Sequence, residues 1–288
     1  MNQPRKHNAI SPQRDRWQSQ SLVAVCTAVL AVYPLVSPWT WPVSAGPLSR
    51  VALLAAGAIS VCFAGLVRLL KAATKPAAVL GGILCYDLVA GTELGRGMAH
   101  SALPALSTLF VLTFLATRFR RNRKQAMGLA EPRTGRRASQ VAANLAVAAG
   151  MGMAGFSDQV WVIACLASLA EATADTVSSE TGQVFGGRTL LLATWQPVEP
   201  GTDGGISLRG TLAGLAAAGV VVVVGVDTMG LGWREGGIAF IAGAMGLFAD
   251  SLLGATLERK GWMGNDWVNF FSTGAAAACA VALGLLPH

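Results

Sequence analysis

Nine apolar runs, separated by charged or Gly/Pro-rich breaks, leave this chain few folds to choose from. They lie near residues 21–38, 50–70, 76–93, 101–117, 139–154, 158–179, 208–227, 236–257 and 266–286. Most approach the ~20 residues that carry a helix across ~30 Å of hydrocarbon. A bilayer core offers backbone amides no water, so such runs must satisfy their hydrogen bonds internally, as helices do. Composition agrees: 53% of the 288 residues are hydrophobic and 13% charged, about half the ~25% charge of a soluble domain. The expected fold is all-α, a polytopic transmembrane helix bundle of about nine spans forming a single membrane domain over residues 21–288. The runs at 76–93 and 139–154 are short enough to be tilted, re-entrant or interfacial. Residues 1–20 are polar and too long for the charged start of a signal peptide, which reads as a disordered cytosolic tail.

The net charge of +7 would fit a nucleic-acid partner, but its distribution argues against one. With the N-terminus cytosolic, nineteen Lys and Arg fall in the inner breaks, eight of them between Arg118 and Arg137. Three, Arg50, Arg96 and Arg234, fall outside. That bias is the positive-inside signature. The basic residues therefore report topology and contact with anionic lipid, with no nucleic acid as partner. The expected location is a bacterial cytoplasmic membrane, with His288 on the far side. The five cysteines (Cys26, Cys62, Cys85, Cys165, Cys279) stand singly in apolar runs, and His7, His100 and His288 are far apart. Neither a disulfide framework nor a zinc motif is signalled.

Five polar stretches interrupt this pattern, each at the inner end of a span. In "RTGRRASQVAAN", Arg136 and Arg137 precede Gln140 and Asn144, which share a helix face. Arginines at a helix start suit a bound anion or a membrane anchor, and both readings stay open. In "EATADTVSSETG", Glu171, Asp175 and Ser178 or Ser179 form one polar stripe, followed by Glu180. A charged residue in mid-membrane costs ~2.5–3.5 kcal/mol, so acids there face the bundle interior and point to a cation site. In "PGTDGGISLRGT", Gly201, Thr202, Asp203, Gly205, Arg209, Gly210 and Thr211 form a Gly-rich turn with phosphate-binding donors, or an ordinary loop. Asp250 and Glu258 recur eight apart in "ADSLLGATLERKG". Asn265, Asp266 and Asn269 open the last run, where Asp266 could serve as a helix cap.

In that order the five stretches resemble the family of integral membrane proteins that includes the plant phytyl-phosphate kinase and animal transmembrane protein 19. The likeness spans about residues 72–286. It implies transfer of the γ-phosphoryl group of a nucleoside triphosphate, CTP or ATP, to an isoprenoid monophosphate at the bilayer surface, with Mg²⁺ as cofactor. The segment from Asp175 to Thr211 is also similar, more distantly, to CTP-dependent polyprenol kinases and CDP-diacylglycerol synthases. Matching positions are Asp175, Ser179, Glu180, Gly201, Thr202, Gly205, Gly210, Asp250, Asn265 and Asn269. Glu171 and Asp203 depart from the family pattern and leave substrate choice open. The residues themselves fit phosphoryl transfer: Asp175, Asp250 and Glu180 for metal, the glycine loop for phosphates, Arg136, Arg137, Arg188 and Arg209 for charge. A secondary transporter, or a membrane protein without activity, is the alternative.

Overall fold

A computed structural model of the protein describes residues 10–32, 35, 46–93, 98–155, 158–185 and 187–286. The helices are α1 (Pro12–Leu30), α2 (Gly46–Leu69), α3 (Lys75–Glu93), α4 (Leu103–Arg118), the short α5 (Arg121–Ala126), α6 (Ala138–Ala154), α7 (Gln159–Phe185), α8 (Leu208–Met229), α9 (Trp233–Leu253) and α10 (Asn265–Gly284). A π-helical turn over Gly254–Glu258 extends α9.

α7 is the axis of the bundle. Its 27 residues make a helix of about 40 Å at 1.5 Å per residue. Its apolar window is 89% buried, against 22–44% for the other long apolar helices. Small residues let its neighbours approach. A Cβ on Gly214 of α8 would sit 2.5 Å from Ala174 O, and one on Gly210 2.6 Å from Ser178 O. Gly246 of α9 similarly abuts the Glu171 Cγ at 2.6 Å. Such small-residue seams are how membrane helices gain contact where hydrophobicity supplies no drive between them.

Among the described residues the breaks gather at two ends. At one end Thr74 and Arg136 donate their backbone N–H to Arg136 O and Ala72 O at 3.0 and 2.9 Å. There Phe119 also stacks on Phe185 at 5.8 Å, and Arg14 reaches Trp262 O at 3.1 Å. At the other end Gly91 meets Gly152, and the Gln159 side chain reaches Gly230 O at 3.5 Å. Among the described residues five helices are long and apolar enough to cross a membrane: Val51–Leu69, α7, α8, Trp233–Glu258 and α10. α3 and α6, which cover the short runs, are not among them, nor is α1.

Three features differ from the sequence reading. Residues 12–20 are helical rather than a disordered tail, while residues 1–9 lie outside the described residues. Ser11 caps α1 by accepting from Arg14 N at 3.3 Å, and Pro12 sits at its first turn, where its missing N–H costs nothing. The helix is then held by partners far along the chain: Gln18 bonds Trp262 O and Gly264 N, and Ser19 donates to Asp266 at 2.6 Å. Second, α7 does not end near residue 179 but runs on to Phe185, so Glu180 to Gly182 are helical. Third, residues 189–207 fold into a small antiparallel sheet, β1 (Thr189–Leu191), β2 (Pro197–Val198) and β3 (Gly205–Ser207), in the order β2-β1-β3. Thr189 pairs with Val198 on one side and Ser207 on the other.

Candidate functional site

A polar cavity of about 240 Å³ opens where α6, α7, α9 and α10 converge beneath the sheet. α7 contributes Asp175, Thr176, Ser179, Glu180 and Gln183, a stripe at helical spacing. α9 contributes Asp250 and Ser251, and the π turn adds Glu258. α10 contributes Asn265 and Asn269, while Arg136 comes from the turn just before α6 and Gln140 and Asn144 from that helix's first turns. The loop Gly201, Thr202, Asp203, Gly204 and Gly205 closes the cavity, with Thr211 of α8 behind it. Residues from all five polar stretches thus share one wall.

The carboxylates are placed with few partners. Asn269 Nδ2 stands 3.5 Å from Asp175 Oδ2, and Arg136 lies within Coulombic range of Asp175 while donating to Thr176 Oγ1 at 3.3 Å. Asp250 faces Asp175, Glu171 and Glu258 electrostatically. Among the described residues the buried Asp250 Oδ2 and Glu171 Oε1 have no hydrogen-bond partner. Orphaned carboxylate oxygens are costly in a low-dielectric interior, and a cation or protons would relieve them. Two facing carboxylates and adjacent amide side chains fit a hard divalent ion that completes its shell with water and phosphate oxygens. No cluster of three or more His, Cys, Asp or Glu forms a prebuilt metal cage among the described residues.

The loop is shaped by its neighbours. Gly204 adopts φ +72°, and a Cβ there would lie 2.5 Å from Ala255 Cα in the π turn. The extra residue in that turn widens α9 where the loop lies against it, a common feature of functional sites. The donors of the loop are already partly committed. Gly205 N donates to Thr202 O at 2.9 Å, and the Thr202 hydroxyl and amide both donate to Glu199 O, at 2.7 and 3.2 Å. The expected array of free amides over Gly201–Gly205 is therefore smaller than the sequence implied.

Four expected site residues fall elsewhere or are otherwise occupied. Arg137 points outward, 60% exposed, with Nη2 4.0 Å from Asp266. Its backbone N–H is taken by Gln140 Oε1 at 2.8 Å, since it caps α6. Arg209 is exposed beside Phe185 O at 3.5 Å. Gly210 serves the α7–α8 seam. Glu180 does line the cavity, yet its charge is matched: Lys124 is fully buried and its Nζ donates to Glu180, as well as to Ala116 O at 3.0 Å and Thr117 O at 2.8 Å. The basic segment at 118–137 is thus not wholly an exposed connection.

Glu131, Thr176, Gln183 and Ser251 line the cavity without having been singled out from sequence. Gln183 carried a legible signal, eight residues beyond Asp175 on the same stripe, once α7 is allowed to continue. Glu131 is the lone acid of its basic segment, and it accepts from Gln140 Nε2 at 3.2 Å.

A helical bundle with a carboxylate-lined polar cavity at one end defines an integral, multi-pass membrane protein with a site at the bundle's edge. The chain belongs to the family described as integral membrane protein DUF92, whose model matches residues 58–277. It is similar to Protein VTE6, chloroplastic, of Arabidopsis thaliana, 31% identical over 67% of this chain and 61% of that protein. It is also similar to an uncharacterized membrane protein of Synechocystis, 36% identical over 60% of this chain and 70% of the relative. An uncharacterized membrane protein of Methanocaldococcus jannaschii is 37% identical over 58% of this chain and 70% of its own length. No solved structure matches.

Proposed function

We propose that the protein is a prenyl-phosphate kinase, transferring the γ-phosphoryl group of CTP or ATP to an isoprenoid monophosphate at the cytosolic face of a bacterial cytoplasmic membrane. The observation that carries this reading is the convergence of residues 136 to 269 on one polar cavity holding Asp175, Asp250 and Arg136. In the reaction an oxygen of the acceptor's phosphate attacks the γ-phosphorus, the bond to the β–γ bridging oxygen breaks, and the products are a prenyl diphosphate and a nucleoside diphosphate. Mg²⁺, when bound, supplies charge neutralisation across the transferring phosphates. Asp175 and Asp250 would hold that ion; Asn265 and Asn269 would orient the carboxylates and phosphate oxygens. Arg136 offsets charge on the equatorial oxygens, and the Gly201–Gly205 loop covers the nucleotide phosphates. An acceptor that is already a phosphate needs no strong general base, so histidine is not required.

Nine membrane crossings with a cytosolic N-terminus complete this reading, because they put every cavity residue on the side where nucleotide is found. Reporters fused after Arg133 and after Gly230 should then read on opposite sides. A second reading, ion-coupled transport, draws on buried acids deeper in the bundle: Glu171, and Asp87 of α3, whose two oxygens are unpartnered among the described residues. Purified protein with labelled ATP or CTP, Mg²⁺ and phytyl, geranylgeranyl or farnesyl phosphate tests both. Formation of a labelled diphosphate supports the kinase; its absence across the panel, with nucleotide-independent ion flux in vesicles, overturns it.

A further inference from the structure

A second hollow, of about 590 Å³, adjoins the polar cavity and shares Glu131, Arg136, Gln140 and Asn144 with it. Its deeper wall is apolar, built from Phe63 and Val67 of α2, Gly81 of α3, Phe110 and Phe114 of α4 and Val141 of α6. Its mouth carries Lys71, Arg118, Arg121, Arg133 and Arg136, none of which forms an ion pair among the described residues.

We infer that this groove is the acceptor site: it takes the hydrocarbon chain of a prenyl monophosphate and presents the phosphate at the shared residues. The inference rests on the kinase reading and goes beyond it by assigning the site and the residue that limits chain length. Three observations carry it. The volume falls within the ~300–1,000 Å³ of ligand clefts, and an apolar depth with a cationic rim matches an anionic amphiphile. Two of the cations are held in place by backbone carbonyls: the exposed Arg118 donates from Nη2 to Leu70 O at 2.7 Å with its guanidinium 4.1 Å over Phe114, and Arg121 Nη2 donates to Glu131 O at 2.6 Å. Finally, Thr117 Oγ1, Arg121 Nε and Glu131 Oε2 are buried at the mouth without a partner among the described residues. A protonated or metal-bridged phosphate can partner all three.

Gly81 limits how much chain fits. A Cβ there meets only Val141 Cγ1, at 3.8 Å, an ordinary contact. Gly81→Leu therefore fills the groove from a helical position that leucine favours, without displacing backbone. Gly237→Leu, where a Cβ meets nothing within 4 Å, is the control for an added leucine.

The test uses full-length protein in nanodiscs, without nucleotide, and measures binding of geranyl and geranylgeranyl monophosphates. Gly81→Leu should weaken the C20 ligand at least tenfold, leave the C10 ligand and separate nucleotide binding within twofold, and Gly237→Leu should change nothing. Equal C20 affinity in the parent and Gly81→Leu overturns the site. Should Gly81→Leu fail to fold, a C20 monophosphate with a terminal diazirine decides the matter on the unaltered chain. Labelling on α2, α3, α4 or α6 supports the groove. Labelling elsewhere, or equal displacement by phosphatidylglycerol, overturns it by giving the groove to bulk lipid. Chain-length-selective binding without diphosphate formation would sink the kinase and keep the groove. Diphosphate formation with unaltered chain preference in Gly81→Leu would do the reverse.

Discussion

Lys124 is the best place to measure what holds the polar end of the bundle together. Its side chain is 1% exposed and that of Glu180 9%, and they form an ion pair 56 residues apart in sequence. Nζ also donates to Thr117 O, one of the last carbonyls of α4, and to Ala116 O, which accepts the Phe119 N–H as well, at 3.2 Å. Lys124→Met removes one partner of a buried pair, which costs about 3–5 kcal/mol because the other charge is left uncompensated. Glu180 also borders the polar cavity, where water can partly solvate it, so the expected loss is at the lower end, about 3 kcal/mol. Replacing both, as Lys124→Met with Glu180→Leu, removes the stranded charge. The double variant should regain most of the loss, remaining about 1 kcal/mol short for the freed Thr117 carbonyl. SDS titration of purified protein in detergent, followed by circular dichroism, measures each free energy and hence the coupling. A Lys124→Met variant within about 1 kcal/mol of the parent, or a double variant as unstable as the sum of its singles, would refute the reasoning.

Asp175→Asn and Asp250→Asn should each lower turnover at least ~100-fold while the protein inserts normally, and should abolish Mg²⁺-dependent nucleotide binding; full activity in either variant removes the shared-ion assignment. Gly204→Ala, at φ +72° and against Ala255, should cost about 1–2 kcal/mol for the left-handed backbone alone and weaken nucleotide binding at least tenfold by lifting the loop from the π turn. Unchanged binding by calorimetry would show that the loop does not cover the nucleotide. Arg136→Gln should reduce nucleotide or phosphate affinity, whereas Arg137→Gln should leave it within twofold because that side chain is 60% exposed and outside the cavity. Equal losses in the two variants would return Arg137 to the site.

The chain's hydropathy alone determined the helical bundle. Apolar runs of helical length have one way to satisfy their backbone in lipid, and basic residues mark one side of it. Acids on small-residue helices were equally legible: with nowhere favourable to point but inward, Asp175 and Asp250 were expected in a common interior, and both line the polar cavity. Tertiary structure alone decided which of several like residues is used. Eight basic residues lie between Arg118 and Arg137, yet it is Lys124 that is buried against Glu180. Of the adjacent Arg136 and Arg137, only the first reaches the cavity, because the helix cap turns the second outward. The polar start of α1 read as disorder, since the groups that order it, Trp262, Gly264 and Asp266, are some 245 residues away. Periodicity records which face of a helix is apolar, but the crossing of helices distant in sequence chooses the partner of each polar group, and no local pattern encodes that choice.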